Sequence, residues 1–202
     1  MIVIVDYGVG NVASIQNMLR KIGVKSRISA QPSAIAAADK LILPGVGNFG
    51  HGMLMLTASG LVPILTEQVK TLRKPILGIC LGMQMMTYGS EESSKAGLGW
   101  IDGFTRKFIS RPGFRVPHMG WNIIRPRVGA RLFDATQTAE ERFYFVHSYH
   151  VCMAASEAIA AYCDYGDEFT AGFESDNLFG VQFHPEKSHQ FGKELLRRFA
   201  TL

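Results

Sequence analysis

The sequence predicts an α/β protein built on a mixed, mostly parallel central sheet, with helices on both faces and an additional antiparallel portion. Over the first hundred residues, short β-branched apolar runs alternate with a helical pattern, which is the order typical of parallel sheets. Beyond about residue 100 the apolar runs are separated by turn-rich stretches, which favours antiparallel strands. With 202 residues of which 47% are hydrophobic, the chain is expected to form a single domain over residues 1–202.

The first predicted strand is Ile2–Val5, a continuous β-branched run suited to burial on both faces of a sheet. A glycine-containing break follows, and Asn11 is then a candidate N-cap for a helix. Gly23 is the expected end of that helix. The apolar positions of the helix, which recur at helical spacing, are Val12, Ile15, Leu19 and Ile22.

The strand-and-turn unit recurs further along the chain. Lys40–Leu43 is a predicted strand that ends at PGVG (residues 44–47), and Ile76–Ile79 is another that runs straight into CLGMQMM (residues 80–86). Phe143–Val146 and Phe179–Phe183 are predicted to be strands of the antiparallel portion. The amphipathic pattern over Gln190–Leu202 predicts a closing helix.

Charge and cysteine content exclude several classes of protein. The net charge is +4, but the basic residues are scattered rather than gathered into a patch, so no nucleic-acid partner is expected. Three cysteines without a Cys-x-x-Cys pair indicate a reducing compartment, and we expect a cytoplasmic protein. No signal peptide or run of membrane-spanning length is recognised, so no membrane association is expected.

The segment GICLG (residues 78–82) places Cys80 between two glycines directly after a predicted strand. In α/β enzymes a nucleophile with this flanking pattern sits on a sharp strand-to-helix turn, because the glycines let the backbone bend and let substrate approach. The positive end of the following helix would also stabilise a thiolate. The alternative is that Cys80 is an inert, buried small side chain beside packing glycines.

A cysteine nucleophile requires a base and a group that orients the base. The segment FHPEK (residues 183–187) supplies His184 and Glu186, and residues two apart in an extended segment point to the same side. The alternative is a surface turn nucleated by Pro185 with both side chains in water. His147, His150 and Cys152 match no standard zinc spacing, so no metal site is predicted there and a structural or substrate-lining role is favoured.

Acyl chemistry at a cysteine also requires backbone N–H groups that face the developing oxyanion. The N–H of Leu81, at the start of the helix after Cys80, is one natural donor. The second is the N–H of Val46 or Gly47, because the glycines after the preceding strand allow unusual peptide orientations. The alternative is that PGVG is only a turn that ends a strand.

These motifs, taken together, resemble those of the class I glutamine amidotransferases, and the resemblance covers essentially the whole chain. GICLGMQ (residues 78–84) and VQFHPEKS (residues 181–188) carry it. A narrower resemblance to the glutaminase subunits of imidazole glycerol phosphate synthases rests on PGVG (44–47), PHMGWN (117–122) and FVHSY (145–149). Departures are small, such as Asn48 where alanine is commoner and His150 where an aromatic residue is frequent.

The resemblance implies that Cys80 attacks the side-chain amide of L-glutamine, that His184 acts as base and then acid, and that Glu186 orients His184. It further implies a γ-glutamyl thioester intermediate and no cofactor. The residues implied to hold the amino-acid end of the substrate are the side chains of Gln84 and Glu92 and the backbone of Ser148 and Tyr149.

The resemblance also implies a partner, a separate (β/α)₈-barrel cyclase that receives the ammonia and with which the chain forms a heterodimer. The positions that match this interface are Asn11, Met119, Trp121, Tyr144 and Lys187. For Trp121, a residue of the ordinary core is the alternative.

Four other functions are compatible with parts of the sequence. A related glutaminase would feed another acceptor, as in pyridoxal-phosphate, GMP or anthranilate synthesis, but PGVG (44–47) and HMGWN (118–122) disfavour it. A cysteine peptidase or a γ-glutamyl hydrolase would act on peptides instead of free glutamine. A non-catalytic regulator on a degenerate fold is disfavoured by the intact Cys80, His184 and Glu186.

Overall fold

A nine-stranded mixed sheet forms the centre of the protein in a computed structural model that describes residues 1–135 and 140–202. Its strand order is β2-β1-β3-β4-β11-β10-β9-β6-β7, and β5 and β8 form a second, two-stranded antiparallel sheet. The strands are β1 Ile2–Val5, β2 Ser26–Ser29, β3 Lys40–Leu43, β4 Ile76–Ile79, β5 Gly103–Lys107, β6 His118–Pro126, β7 Arg142–His147, β8 Tyr149–Met153, β9 Ile159–Tyr165, β10 Asp167–Ser175 and β11 Leu178–Val181.

Six α-helices lie within the described residues, and one π-helical turn and two 3₁₀ turns accompany them. The helices are α1 Val12–Lys21, α2 Pro32–Ala36, α3 Phe49–Ala58, α4 Val62–Thr66, α5 Leu81–Met85 and α6 His189–Thr201. A π-helical turn, Glu67–Thr71, continues α4, and 3₁₀ turns occupy Ser156–Ala158 and Pro185–Lys187. In the part of the chain that is described, no single helix combines the length and apolar character needed to cross a membrane, although Phe49–Ala58 and Val62–Thr71 meet that test as a pair bent by 99°.

The predicted fold class is confirmed. Strands β2, β1, β3, β4 and β11 are parallel to one another, whereas β10, β9, β6 and β7 follow in antiparallel pairings. One assignment was wrong in part, because β11 was expected among the antiparallel strands. It pairs antiparallel with β10 but parallel with β4, and it therefore joins the two halves of the sheet.

The predicted first helix is present, but its start differs from expectation. Asn11 occupies the N-cap position, yet its side chain makes no capping hydrogen bond, because its backbone at φ −91° and ψ 60° is not the extended conformation usual for a cap. The predicted end is confirmed, since Gly23 follows the last helical turn with φ +76°, a conformation that favours glycine.

Alternate residues of the parallel strands face two apolar layers. Ile2 and Ile4 of β1 pack with α1 and α6, whereas Val3 and Val5 pack with α2, α3 and α4 on the opposite face. Burial of both faces explains why these strands are continuous apolar runs rather than alternating ones. The sheet therefore carries helices on both faces, and its carboxyl edge is left free for a site.

Candidate active site

A cleft of about 400 Å³ lies at the carboxyl ends of three adjacent parallel strands, β3, β4 and β11. Cys80 directly follows β4, the PGVG segment (44–47) follows β3, and His184 lies three residues beyond the end of β11. All of the catalytic, oxyanion and substrate residues predicted from the sequence line this cleft except Glu186, which lies behind His184. Open α/β sheets bind ligands at this edge.

Cys80 occupies a strained turn between β4 and α5. Its φ of +53° is unusual for a residue with a side chain, and its N–H donates to the Val181 carbonyl oxygen over 2.8 Å. A Cβ at Gly82 would lie 1.9 Å from the Leu43 carbonyl oxygen, and one at Gly78 would lie 2.7 Å from the Met83 nitrogen. Both flanking glycines are therefore required for close packing of the turn.

Sequence analysis expected the dipole of the following helix to stabilise a Cys80 thiolate, but in the structure this contribution is small. Helix α5 has only five residues, so few peptide dipoles are aligned behind the cysteine. The charge partner of the thiol is instead the His184 imidazole, which is hydrogen-bonded to Cys80. Cys80 therefore occupies the predicted strand-to-helix turn, but the helix after it is too short for the dipole contribution that the sequence analysis expected.

His184 and Glu186 form a buried pair beside Cys80. The His184 Nδ1–H donates to Glu186 Oε1 over 2.8 Å, and each side chain is only 2% exposed. The predicted pairing is present, but the predicted reason for it is wrong. Glu186 reaches His184 through the 3₁₀ turn Pro185–Lys187, because the segment turns sharply after His184 instead of continuing extended.

The protonation of His184 is set by its neighbours. Burial alone would lower the pKa of His184, but hydrogen bonds to Cys80 and Glu186, with the negative charges of both groups, raise that pKa to about 10. The imidazolium form of His184 is therefore favoured, and it can serve as a proton donor to a leaving group. The backbone of His184 is fixed from both sides, since its N–H donates to the Tyr144 carbonyl oxygen and its carbonyl accepts from the Ser188 hydroxyl.

The predicted oxyanion segment packs against the start of α5. A Cβ at Gly45 would lie 2.7 Å from the Gly82 nitrogen and 2.8 Å from the Leu81 Cβ, so only glycine permits this approach. Gly47 has φ +86°, and Val46 is 40% exposed at the cleft. The peptide groups of Val46, Gly47 and Leu81 are thus brought to one wall of the cleft beside Cys80.

Hydrogen bonds fix the side chains of two predicted substrate-binding residues, Gln84 and Glu92. Gln84 Nε2 donates to the Tyr149 carbonyl oxygen and to Gln182 Oε1, each over 3.0 Å. Because both hydrogens of this amide are used, Oε1 of Gln84 is the atom left for a ligand. Glu92 Oε2 accepts from the Phe49 N–H over 2.7 Å, which fixes this carboxylate at the start of α3.

Two residues of the site were missed by sequence reasoning. Gln182 is fully buried, and its Nε2 lies 3.7 Å from Cys80 Sγ. The Tyr7 hydroxyl donates to the Pro44 carbonyl oxygen over 2.7 Å, and it anchors the start of the PGVG segment (44–47). Gln182 lay within the VQFHPEKS motif and was a polar residue at the end of an apolar strand, whereas Tyr7 carried no pattern that linked it to Pro44.

His147 has no nitrogen free for a metal ion. Its Nδ1 lies 2.8 Å from the Tyr149 carbonyl oxygen, and its Nε2 lies 3.0 Å from His118 Nδ1. His150 and Cys152 contact each other over 3.8 Å on a different face of β8 from the cleft. The three residues therefore form no ligand set, and His147 alone lines the cleft.

Three of the positions matched to the partner interface, Trp121, Tyr144 and Lys187, lie together next to the cleft. Trp121 is 48% exposed and stacks on His189, with ring centroids 5.4 Å apart and planes 3° apart. Tyr144 pairs with Trp121 across β6 and β7, and the Lys187 ammonium lies 5.5 Å from the Tyr144 ring centre. Met119 and Asn11 are also exposed. The alternative that Trp121 belongs to the ordinary core is contradicted by its exposure.

Comparison with known proteins shows the family to which the chain is related. Residues 3–201 match the family described as glutamine amidotransferase class-I. "Imidazole glycerol phosphate synthase subunit HisH 2" of Pseudomonas aeruginosa is 50% identical over 100% of both chains. The protein of the same name from Methanococcus maripaludis is 48% identical over 98% of both chains. "Imidazole glycerol phosphate synthase subunit HisH" of Bdellovibrio bacteriovorus is 42% identical over 100% of both chains.

Solved structures have the same fold. One described as a crystal structure of glutamine amidotransferase superposes with a TM-score of 0.76 at 16% identity, over 99% of both chains. The structure of PurLQS from Thermotoga maritima gives a TM-score of 0.72 at 18% identity, over 99% of this chain and 97% of that one. With a family match over nearly its whole length and full-length relatives at 42–50% identity, the chain belongs to the class I glutamine amidotransferase family.

Proposed function

We propose that this chain is the glutaminase subunit of an imidazole glycerol phosphate synthase, acting as one domain over residues 1–202. It hydrolyses L-glutamine to glutamate and ammonia and delivers the ammonia to a cyclase subunit. The observation that carries the proposal is the contact of Cys80, on its strained turn, with the buried His184–Glu186 pair at the edge of a substrate-sized cleft. The full-length relatives named as subunits of this synthase support the choice of acceptor.

The geometry supports a two-step acyl transfer. The Cys80 thiolate attacks the side-chain carbonyl carbon of glutamine and forms a C–S bond. His184 then gives its proton to the amide nitrogen as the C–N bond breaks, so ammonia leaves and a γ-glutamyl thioester remains. Neutral His184 next takes a proton from water, which attacks the thioester and releases glutamate as the C–S bond breaks. Glu186 stabilises the imidazolium that is present before the first step and that forms again in the second.

The transition states require donors for a developing oxyanion. The Leu81 N–H, at the first position of α5, has no partner within its own helix and directly follows Cys80 in the chain. The second donor is the N–H of Val46 or Gly47, from the segment packed against α5. Each such donor is typically worth about 10²–10³ in rate.

The amino-acid end of glutamine is held by both hydrogen-bond acceptors and hydrogen-bond donors. Gln84 Oε1 and the Glu92 carboxylate are acceptors suited to the α-ammonium group. The backbone of Ser148 and Tyr149 offers N–H donors to the α-carboxylate. This recognition disfavours a peptidase, because a peptide substrate would carry neither free charged group at that end.

No cofactor takes part, and with three free cysteines the chain is suited to a reducing cytoplasm.

The proposed delivery of ammonia to the cyclase is tested by following the amide nitrogen of glutamine. The chain, a barrel cyclase and the cyclase's phosphorylated ribulose-formimino substrate are incubated with amide-¹⁵N glutamine, and the imidazole product is analysed by mass spectrometry. We expect one ¹⁵N atom in the imidazole ring. Unlabelled product, or glutamate release with no labelled product, would contradict the proposed acceptor.

Trp121 is proposed to anchor the cyclase partner. Replacing it by alanine is expected to weaken cyclase binding by about 30-fold, because exposed aromatic residues of this kind supply about 2 kcal/mol or more at interface centres. Its half-exposed position limits the expected change in the free energy of unfolding to about 1 kcal/mol. A binding titration and a denaturation curve on the same samples separate the two effects.

Phe104 provides a matched control for Trp121. It is an aromatic residue of similar exposure, 40%, on β5 of the second sheet. Phe104→Ala should leave cyclase binding unchanged. Equal weakening in both variants, or a loss of several kcal/mol of stability in Trp121→Ala, would count against the interface role.

A further inference from the structure

Two buried histidines connect strand β6 to the wall of the substrate cleft. The chain of contacts runs from Asn122 Nδ2 to His118 Nε2 (3.3 Å), from His118 Nδ1 to His147 Nε2 (3.0 Å), and from His147 Nδ1 to the Tyr149 carbonyl oxygen (2.8 Å). His118 and His147 are directly opposite each other in the β6–β7 register. Both side chains belong to residues that are at most 6% exposed.

The direction of every hydrogen bond in this series is fixed by the Tyr149 carbonyl oxygen at its end. A backbone carbonyl only accepts, so His147 Nδ1 must carry the hydrogen, and the Nε2 of neutral His147 then accepts. His118 must therefore donate from Nδ1 and accept at Nε2 from the Asn122 amide. A second proton on either ring would set two donors against each other.

The surroundings keep both rings neutral and immobile. Burial lowers the pKa of His118 to about 4, and burial also lowers the pKa of His147 well below its ordinary value. His118 is stacked between two aromatic rings, with centroid distances of 4.7 Å to Phe145 and 4.0 Å to Tyr165. The pair is thus a rigid donor aimed at one carbonyl oxygen.

The Tyr149 carbonyl links His147 to Gln84, a predicted substrate-binding residue. Its oxygen accepts from His147 Nδ1 and from Gln84 Nε2, and the second hydrogen of the Gln84 amide goes to Gln182 Oε1. Gln182 Nε2 in turn faces the Cys80 sulfur. The Gln84 amide can therefore take only one orientation, with Oε1 left for a ligand in the cleft.

We propose that His147, oriented by His118, is a positioning residue for glutamine recognition, fixing the Tyr149 carbonyl and thereby directing Gln84 Oε1 toward the α-ammonium group. This inference rests on the proposed function, because it assigns the amino-acid end of glutamine to Gln84. In this proposal His147 acts through the hydrogen bond that its Nδ1–H donates to the Tyr149 carbonyl. Substitutions can remove that hydrogen bond while keeping the packing of the side chain.

The test compares two substitutions of His147 in the full chain bound to cyclase and the cyclase's nucleotide ligand. His147→Phe fills the space but removes the donor, and it should raise the KM for glutamine by about tenfold with kcat nearly unchanged, as expected for loss of one carbonyl hydrogen bond. His147→Asn places an amide N–H where Nδ1 lies, and it should restore the KM to within about threefold of the wild type.

A neighbouring histidine controls for packing. His150 stacks on Phe108 at 4.5 Å in the same aromatic group but donates nothing to the Tyr149 carbonyl. His150→Phe should leave the KM unchanged. If His147→Phe does not fold, glutamine affinity is measured by calorimetry with His118→Phe in a Cys80→Ala background, where loss of the tautomer partner should weaken binding about threefold.

The outcomes separate the inference from the proposed function. An unchanged KM in His147→Phe, no recovery in His147→Asn, or an equal rise in His150→Phe would overturn the positioning role. If the wild-type complex fails to hydrolyse glutamine at all, the proposed function is wrong instead.

Discussion

Replacing Cys80 by alanine is expected to lower the rate of glutamine hydrolysis by at least about 10⁴-fold while leaving the fold intact. The proposed reaction forms a C–S bond, and among the described residues no other thiol lines the cleft. Alanine keeps a Cβ, so the strain of the positive φ at residue 80 is the same in both chains. Loss of one sulfur atom from a site that is 6% exposed should cost only about 1 kcal/mol of stability.

Two controls make the Cys80 result specific. Cys152→Ala removes a half-buried thiol on β8 and should retain full glutaminase activity. With ammonium salt added, the complex of cyclase and the Cys80→Ala chain should still form product, because only the supply of ammonia has been removed. Glutamine hydrolysis that persists in Cys80→Ala would show that Cys80 is not the nucleophile.

The isolated chain is expected to hydrolyse glutamine slowly, because we propose that one oxyanion donor rests turned away from Cys80 until the cyclase holds its ligand. Val46 is β-branched, and we expect the Val46–Gly47 peptide to rest with its N–H away from the thiol. Rotation of that peptide changes ψ of Val46 and φ of Gly47 by about 180°, and glycine at residue 47 permits both the observed φ of +86° and its opposite. One donor is typically worth about 10²–10³ in rate.

Gly47→Ala tests this peptide directly. Within the described part of the chain, no heavy atom beyond the adjacent residues lies within 4 Å of a Cβ at Gly47, so the substitution changes backbone preference without a clash. Alanine disfavours positive φ by about 1–2 kcal/mol, and the peptide should shift toward its other orientation. We expect the rate of glutamate release by the isolated chain to rise about tenfold and the stimulation by cyclase to shrink.

Gly129 supplies the matched control, since it has φ +83° with equally open space in a loop outside the cleft. Gly129→Ala should leave both the isolated and the stimulated rates unchanged. A fall in the basal rate of Gly47→Ala would mean that the observed orientation is the active one, and it would contradict the resting state assigned here.

Much of the site was predictable because the fold brings motif residues together at one edge. Cys80 and PGVG (44–47) each follow a parallel strand, and the carboxyl ends of such strands meet. The pairing of His184 with Glu186 followed from their closeness in sequence. Their proximity was predicted correctly, although the 3₁₀ turn that creates it was not.

The contacts that were not predicted join residues far apart in the sequence, and no local sequence pattern encodes such contacts. His118 and His147 are 29 residues apart and meet only because β6 and β7 pair at that register. Tyr7 reaches the Pro44 carbonyl across 37 residues. Strand β11 resembled the antiparallel runs near it, and its parallel partner β4 lies about a hundred residues earlier. Burial by tertiary neighbours, rather than periodicity, fixes each of these contacts.

The central claim is that this chain is a glutaminase whose activity is controlled by its acceptor subunit. It is tested most directly by the rate of glutamate release from the purified chain alone, with cyclase, and with cyclase plus its nucleotide ligand. We predict a very slow rate for the chain alone and a rate at least about a hundredfold higher in the liganded complex, as one oxyanion donor implies. An isolated chain that already works at the full rate would contradict this claim.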